Sequence, residues 1–232
     1  MFAFIKRNHM NSKQFILSLA SACIVSSTSA QSVQFGIETG INIARLSISP
    51  KSAFGADELS SKLGARFGGL LNIGLGKGFS IEPGVVYSRK GVIYSTTILG
   101  ESYEVQMRYN YIEVPLYVKY NFKGLQFGAG PYIAFTSAAS YKGISLDTTV
   151  VEKIQITNDL NTGGVRPMDV GVNIKAGYIF PIGLFLSTQY GLGFSNTAAS
   201  NGLTAKNNVF SFSAGYYFGY QSKKKSKVMQ PQ

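Results

Sequence analysis

The sequence predicts an all-β protein, an eight-stranded antiparallel up-and-down transmembrane β-barrel that follows an N-terminal signal peptide. Three observations support this prediction. Apolar and polar residues alternate along eight stretches, short and long connections follow one another in strict alternation, and no stretch has helical periodicity. An even number of strands, joined by short turns at one end and by longer loops at the other, is typical of outer-membrane barrels.

The first thirty residues predict a secretory signal peptide. Lys6, Arg7 and Lys13 precede an apolar run at 15–25, and small residues lead to a cleavage site after Ala30. The apolar run is too short to cross a bilayer as a helix, which needs roughly 20 apolar residues. We therefore divide the chain into a signal peptide at 1–30, a barrel at 31–220 and a basic tail at 221–232.

Cleavage removes two types of side chain that enzymes often use. His9 and Cys23 are the only histidine and the only cysteine, and the formal net charge falls from +11 to +8 because three cations leave with no acid. A mature chain without either residue cannot build a Cys/His zinc site, a disulfide, a thiol nucleophile or a Ser-His-Asp triad. We predict a protein that is not an enzyme and that uses no cofactor or metal. The alternative of lipidation at Cys23 is disfavoured, because Ala20 stands where such sites usually have a larger apolar residue.

The alternating pattern assigns eight strands and seven connections. The predicted strands cover 33–48, 64–75, 79–93, 104–122, 125–138, 169–180, 184–195 and 208–220. Tight turns are expected at 76–78, 123–124 and 181–183, and long polar connections near 49–63, 94–103, 139–168 and 196–207. For consecutive antiparallel hairpins this order places all long loops at one end, and all short turns and both termini at the other.

The composition of the two faces indicates which one meets lipid. In the seventh strand the apolar row is Leu184, Leu186, Tyr190, Leu192 and Phe194, and the opposite row contains Ser187, Gln189, Gly191 and Gly193. A soluble barrel would turn the apolar row inward, whereas a membrane barrel turns it outward. Aromatic residues of the apolar row cluster near the short turns, as in an interfacial aromatic girdle. The opposite row is rich in glycine, which lets eight strands close around a narrow interior, so we assign the apolar row to lipid.

The polar row also carries charges of both signs. Burying a charge is costly unless it is paired, so a narrow lumen predicts opposite charges in contact. Glu82 and Lys119 are one candidate pair, and Lys90 and Asp169 are expected nearer the long loops. The alternative is a solvated face of mixed charge on a soluble sheet. The residues of the predicted lumen network are Glu38, Arg66, Glu82, Glu113, Lys119 and Lys175.

Three prolines conflict with regular strands. Pro83, Pro115 and Pro131 lie inside predicted strands, where each removes a donor from the hydrogen-bond ladder. A closed barrel has no edge strand, so every strand position needs this donor for pairing with a neighbouring strand. The prolines therefore predict either β-bulges or strand sections outside the paired region, and the pattern does not separate these two cases.

Three strand motifs resemble those of the PorT-like outer-membrane β-barrel (porin-family) proteins of Gram-negative bacteria. They are IEPGVVYSRKG at 81–91, NYIEVPLYVKY at 110–120 and GAGPY at 128–132. The resemblance covers the chain from about Val33 to Tyr220, and it implies a barrel in the outer membrane. The secretion role of the family's namesake is not implied, because the whole family shares these motifs. The lysine-rich stretch at 223–227 departs from the pattern, since it lies beyond the aromatic end that normally closes such barrels.

The connection at 139–168 is the most promising functional surface, since loops of this length are usually functional or disordered. Partial alternation at 144–151 and 153–157 predicts a projecting hairpin. Its candidate contact residues are Tyr141, Lys142, Asp147, Glu152 and Lys153.

These observations predict a non-enzymatic barrel of the cell outer membrane with both termini in the periplasm and a plugged, charge-paired lumen. It would act as a structural, assembly or interaction component through its extracellular loops. The expected partners are outer-membrane lipid and a protein bound by the long loops or by the basic tail. Nucleic acid is not expected, because the chain is exported and its cations form no aromatic-laced patch. The alternative function is a small-solute channel or a porin-like transport component.

Overall fold

The computed structural model describes residues 32–50, 58–98, 101–144 and 149–220. The predicted signal peptide, the basic tail and Asp147 lie outside the described residues. The described residues form eleven β-strands: β1 (Ser32–Ser49), β2 (Glu58–Gly76), β3 (Phe79–Ile98), β4 (Glu101–Phe122), β5 (Leu125–Ile144), β6 (Thr149–Lys153), β7 (Gly164–Val165), β8 (Met168–Ile179), β9 (Leu184–Gly193), β10 (Ala198–Ala199) and β11 (Thr204–Tyr217).

Eight of these strands close into one ring. The order around the ring is β1, β2, β3, β4, β5, β8, β9 and β11, and β11 returns to pair with β1. Every neighbouring pair is antiparallel. The predicted eight-stranded up-and-down barrel is thus confirmed, and closure leaves no strand edge in the ring itself. No helix within the described residues is long and apolar enough to cross a membrane.

The smaller strands lie at the long-loop end. Strand β6 pairs with the last residues of β5, from Ser140 opposite Lys153 to Ile144 opposite Thr149. Strands β7 and β10 come from different long loops and pair in a separate two-stranded sheet. A projecting hairpin is therefore present, but its strands are 140–144 and 149–153 rather than the two stretches that alternation suggested.

The long connection expected at 94–103 is wrong. Strand β3 continues to Ile98 and pairs there with Glu101, the first residue of β4. The segment looked like a loop because its residues are polar. A strand that rises above the lipid-facing surface meets water on its outer side, so a polar composition there does not end the strand.

Lysine and glycine build two of the short turns. Lys77 and Gly78 have φ angles of 51° and 90°, and Lys123 and Gly124 have φ angles of 52° and 92°. Positive φ at both central residues is the type I′ geometry that matches the right-handed twist of a two-residue hairpin. The tight turns predicted at these positions are therefore confirmed.

The assignment of the two faces agrees with the structure. In β9, Leu184 and Leu186 expose 38% and 51% of their surface on the outside, whereas Gln189 is buried at 6%. Aromatic side chains of the outer face touch one another near the short turns, with ring centres 4.9 Å apart for Phe79 and Tyr120. The outer surface of the ring is thus an apolar band around a polar interior.

The three prolines cause no β-bulge. Pro83 lies opposite Leu116 in the β3–β4 pair, and Pro115 lies opposite Tyr132 in the β4–β5 pair. The register is the same on both sides of each proline, although the ladder skips the residues that follow. Bulges occur elsewhere, between Ser61 and Arg66 and between Asn110 and Tyr111. The prolines therefore interrupt individual ladder bonds without shifting a strand.

Gly130 in β5 allows a test of how closely β4 and β5 approach each other. A Cβ atom at Gly130 would collide with the backbone carbonyl of Leu116 in β4, whereas a Cβ atom at Gly143 in the same strand would meet nothing. We expect Gly130→Ala to lower the free energy of unfolding by about 1–3 kcal/mol because of overpacking. Gly143→Ala should stay within about 0.5 kcal/mol of the wild type. Urea titration of the barrel folded in lipid vesicles measures both, and equal stabilities would contradict this strand packing.

Candidate functional site: a charged network inside the barrel

The candidate functional site is the interior of the ring. Alternation along the strands turns one side chain in two inward, and charged residues occupy many of these inward positions. All six residues of the predicted lumen network lie there, and each exposes at most 6% of its surface. The six residues are Glu38, Arg66, Glu82, Glu113, Lys119 and Lys175.

Five of them form a lower cluster toward the short turns. Lys175 from β8 bridges two carboxylates, with its Nζ atom 3.3 Å from Glu38 and 3.2 Å from Glu82. Arg66 pairs with Glu38 at 2.5 Å. The candidate pair Glu82 and Lys119 is in direct contact. The lower cluster therefore joins strands β1, β2, β3, β4 and β8 across the barrel.

Tyr217 completes the hydrogen bonding of the lower cluster. Its hydroxyl donates to Glu82 and accepts a hydrogen bond of 2.9 Å from the Nζ atom of Lys119. The Tyr217 ring is fully buried and packs against Phe185 with ring centres 4.7 Å apart. Alternation places Tyr217 in the inward row of the last strand, out of phase with Phe210 and Phe212, but it does not indicate which charged residues its hydroxyl contacts.

Glu113 belongs to a second, upper cluster. The Nζ atom of Lys90 lies 3.1 Å from Glu113 and 3.4 Å from Asp169. Asp169 also accepts hydrogen bonds from Ser195 at 2.7 Å and from Asn207 at 2.9 Å. The Lys90 ammonium group stands over two aromatic rings, those of Tyr111 and Tyr132, at 5.0 Å and 4.6 Å from their centres.

The two clusters together balance their charges. Four cations and four carboxylates form these contacts: Arg66, Lys90, Lys119 and Lys175 with Glu38, Glu82, Glu113 and Asp169. Between the clusters lies a cavity of about 10 Å³, lined by Arg66, Glu113 and Asn173 among others. A cavity of that size holds about one water molecule. The middle of the barrel is thus filled by paired charges.

Above the upper cluster the interior becomes apolar, a feature that the alternating pattern did not predict. Eleven buried residues from the strand tops and the long loops pack there into an apolar cap that includes β7 and β10: Leu46, Ile48, Val92, Tyr109, Tyr111, Tyr132, Ala134, Ala139, Val165, Ala198 and Ala205. The cap closes over the long-loop end of the polar interior. At the opposite end, a vestibule of about 730 Å³ opens between the short turns, lined by Gln34, Asn72 and Gln126 among others.

The candidate loop contacts lie on the β5–β6 hairpin. The Tyr141 hydroxyl donates to Glu152 across the hairpin at 2.6 Å, and this hydrogen bond raises the pKa of Tyr141. Glu152 and Lys153 are exposed and Lys142 is half-buried. Asp147, in the connection between the two strands, lies outside the described residues. Tyr141, Lys142, Glu152 and Lys153 therefore lie at or near the protein surface on the same hairpin.

Comparison with known proteins gives a family match and several similar folds. A family model described as "Outer membrane protein beta-barrel domain" matches residues 29–199. No protein among the curated sequences matches. A solved structure of Ail, the attachment invasion locus protein of Yersinia pestis, in complex with the heparin analogue sucrose octasulfate, is 10% identical. The match covers 81% of this chain and 100% of that chain, with a TM-score of 0.44.

Two further structures are similar in the same way. Neisserial surface protein A (NspA) is 9% identical, with 80% of this chain and 99% of that chain covered and a TM-score of 0.43. The outer membrane protein OprG from Pseudomonas aeruginosa is 9% identical, with 82% and 95% covered and a TM-score of 0.33. At these identities the likeness concerns the fold and not the function.

The lower cluster makes a testable prediction about stability. Glu82→Gln removes the carboxylate that pairs with Lys119 and Lys175 inside the barrel. Because removing one partner of a buried ion pair costs about 3–5 kcal/mol, we expect the free energy of unfolding to fall by that amount. Urea titration of the barrel folded in lipid vesicles measures the change.

A double-mutant cycle separates pairing from a general loss of stability. The combined variant Glu82→Gln with Lys119→Gln should lose about 0.5–3 kcal/mol less than the sum of the two single variants, because neither partner is then left unpaired. The exposed Lys153→Gln is a matched control and should stay within about 0.5 kcal/mol of the wild type. Strict additivity of the two interior substitutions would contradict the contact.

Proposed function

Because this chain belongs to the outer membrane protein β-barrel domain family, we propose that it is a non-enzymatic barrel with a plugged lumen. It acts as a structural, assembly or interaction component of the outer membrane through its extracellular loops. In this proposal the long-loop end faces outward and both termini lie in the periplasm. The strand motifs at 81–91, 110–120 and 128–132 support the further proposal that it is a PorT-like member of this family.

The filled interior is the observation on which this proposal rests. An ion that crossed the barrel would have to pass the lower cluster, the upper cluster and the apolar cap in series. The charged groups are already paired with one another, so a passing ion would have to break ion pairs that have no water to replace them. An eight-stranded barrel is just wide enough for its own side chains. These features support a closed lumen.

The β5–β6 hairpin is the best candidate for a contact with a protein partner. Val150 and Val151 expose 44% and 64% of their surface there, and the exposed Glu152 and Lys153 follow them. Within the described residues, β6 ends the order of the sheet and pairs with β5 alone. An exposed edge with apolar side chains offers backbone groups and a small apolar surface to a partner strand. We therefore propose a protein partner that binds this hairpin.

A small-solute channel is the second candidate function, and the vestibule favours it. The vestibule is a partly polar space of about 730 Å³ that extends from the short turns to Gln34 and Gln126. A channel would further require both clusters and the cap to open. Conductance distinguishes the two functions directly.

We expect the wild-type protein to carry almost no current in a planar bilayer. Replacing two members of the lower cluster with Glu82→Ser and Lys119→Ser should raise the current, because water and ions can then enter the space that their side chains fill. Combining these changes with Leu46→Ala and Tyr109→Ala in the cap should raise it further. Lys153→Ser is the control with an intact interior. A wild-type current as large as that of the combined variant would instead establish the channel.

The hairpin contact predicts a specific loss of partners. Cross-linking on whole outer membranes, followed by purification in detergent, should recover defined proteins with the wild type. The variant with Tyr141→Ala, Glu152→Ala and Lys153→Ala should lose them, because it removes the polar contacts of the hairpin. Replacing Lys77 and Lys123 by alanine at the other end should not. Recovery of the same proteins with the hairpin variant would contradict this role.

A further inference from the structure

Cationic side chains line the outer wall of the barrel directly above the apolar band, at the long-loop end. The apolar band ends there at residues such as Ile41, Leu63 and Phe210, which expose 49%, 69% and 36% of their surface. Six neighbouring strands of the ring, from β11 through β5, each contribute one cation beyond that limit, and the cation of β5 lies highest, in the part of the strand that pairs with β6. We call these six residues the basic belt: Lys206, Arg45, Lys62, Arg89, Arg108 and Lys142.

Alternation and register place the belt on the outer face. Arg45 continues the odd-numbered outer row of β1, and Arg108 continues the even-numbered outer row of β4; both are exposed. The Arg89 guanidinium donates to Asn110 at 3.2 Å and to the Tyr87 hydroxyl at 3.4 Å, at the upper limit of the apolar band. These bonds hold the Arg89 side chain along the outer wall at the upper limit of the apolar band.

Lys62 joins this face through the β-bulge in β2. Its side chain passes over Gly91, whose Cβ position would be 3.0 Å from the Lys62 Cδ atom, and its Nζ atom donates to Gln106 at 2.6 Å. Gly91 and Gln106 both belong to the outer rows of their strands. The bulge therefore turns a lysine that would otherwise face inward toward the other cations of the belt.

The belt concentrates positive charge without neutralising it. None of the ion pairs among the described residues includes a belt cation. Burial lowers the pKa of Lys62, and repulsion from Arg108 lowers it next, with attraction from Glu104 as the opposing influence. Crowded cations of this kind gain stability when an anion binds among them.

The belt covers six of the eight ring strands and leaves a gap at β8 and β9. In this gap, Met168 at the start of β8 and Phe194 just after β9 expose 48% and 57% of their surface. The belt cations therefore lie on six adjacent strands, and the two remaining strands present apolar side chains. This grouping favours an anionic ligand along the cationic part of the outer wall.

We propose that the basic belt binds the phosphorylated head group of a lipid whose acyl chains lie on the apolar band below it. Arginine guanidinium groups match phosphate oxygens in geometry, and lysines add charge. The belt and the apolar band are continuous on the same outer face, so one amphipathic molecule contacts both. This continuity favours a lipid over a free phosphate. Each cation at an anionic membrane surface contributes about 1 kcal/mol, or about fivefold in binding.

The experiment compares barrels folded in vesicles of phosphatidylcholine alone with barrels folded in phosphatidylcholine mixed with phosphatidic acid. The mixed vesicles should raise the folded-to-unfolded ratio of the wild type, because a ligand of the folded state stabilises it. The variant with Arg45→Gln and Arg108→Gln should lose about 25-fold of that gain. The matched control, Lys77→Gln with Lys123→Gln, removes two exposed lysines from the short turns and should keep the gain.

Two further measurements serve as controls for this experiment. Native mass spectrometry of the detergent-solubilised proteins should show phosphatidic acid bound to the wild type and to the control, and much less bound to the belt variant. Inorganic pyrophosphate added to the phosphatidylcholine vesicles should leave the ratio unchanged. An equal gain for the belt variant and the wild type would overturn the proposal. So would an equal gain from pyrophosphate, which would make the belt a site for free phosphate.

Discussion

The need to pair every buried charge inside a closed ring is the constraint on which the rest of this structure depends. A charge in a narrow, weakly hydrated interior is costly by itself, and eight strands leave little room for water. Each interior cation accordingly meets a carboxylate from another strand. Lys175 reaches Glu38 across 137 positions of sequence, and Lys90 reaches Asp169 across 79. A slip of one residue in any of these strands would turn a charged group toward lipid and leave its partner alone. The network thus stabilises one register over its alternatives.

The same physics explains which features the sequence could predict. Period-two alternation and the alternation of short and long connections are local patterns, and they were sufficient for the number of strands, their order and their two faces. The strand tops were harder to predict because the pattern inverts there. In β1 the outer apolar residues Ile37 and Ile41 are odd-numbered, whereas the buried residues Leu46 and Ile48 of the cap are even-numbered. The inversion marks the point at which the outer face meets water and the inner face becomes apolar. It is visible in the sequence, and the strand predicted at 33–48 includes it. The third predicted strand instead ends at 93, although β3 continues to Ile98.

The division of the interior charges into two clusters was not predictable in the same way. Alternation states that Glu82 and Glu113 both face inward, but it does not give their heights in the barrel. Height depends on the register of the β3–β4 pair, which places Glu82 opposite Tyr117 and Glu113 opposite Val86. Alternation alone does not give this register. Glu113 lies farther from the short turns than Glu82 and pairs with Lys90. The role of Tyr217 depends on the same information, since its hydroxyl is placed against Glu82 only by the closure of β11 onto β1.

Charge balance inside the barrel also determines where the remaining charge of the chain lies. The paired interior residues contribute four cations and four carboxylates, and therefore no net charge. The excess of cations in the sequence must then reside outside the lumen. Six of these cations stand together on adjacent strands above the apolar band, and the exposed turn lysines Lys77 and Lys123 stand at the opposite end. An interior that neutralises itself cannot attract a solute by its net charge, whereas an outer wall with unpaired cations can attract an anionic lipid. The distribution of charge therefore agrees with the two proposals that recognition uses the outer wall and the loops, whereas the paired interior charges stabilise the closed barrel.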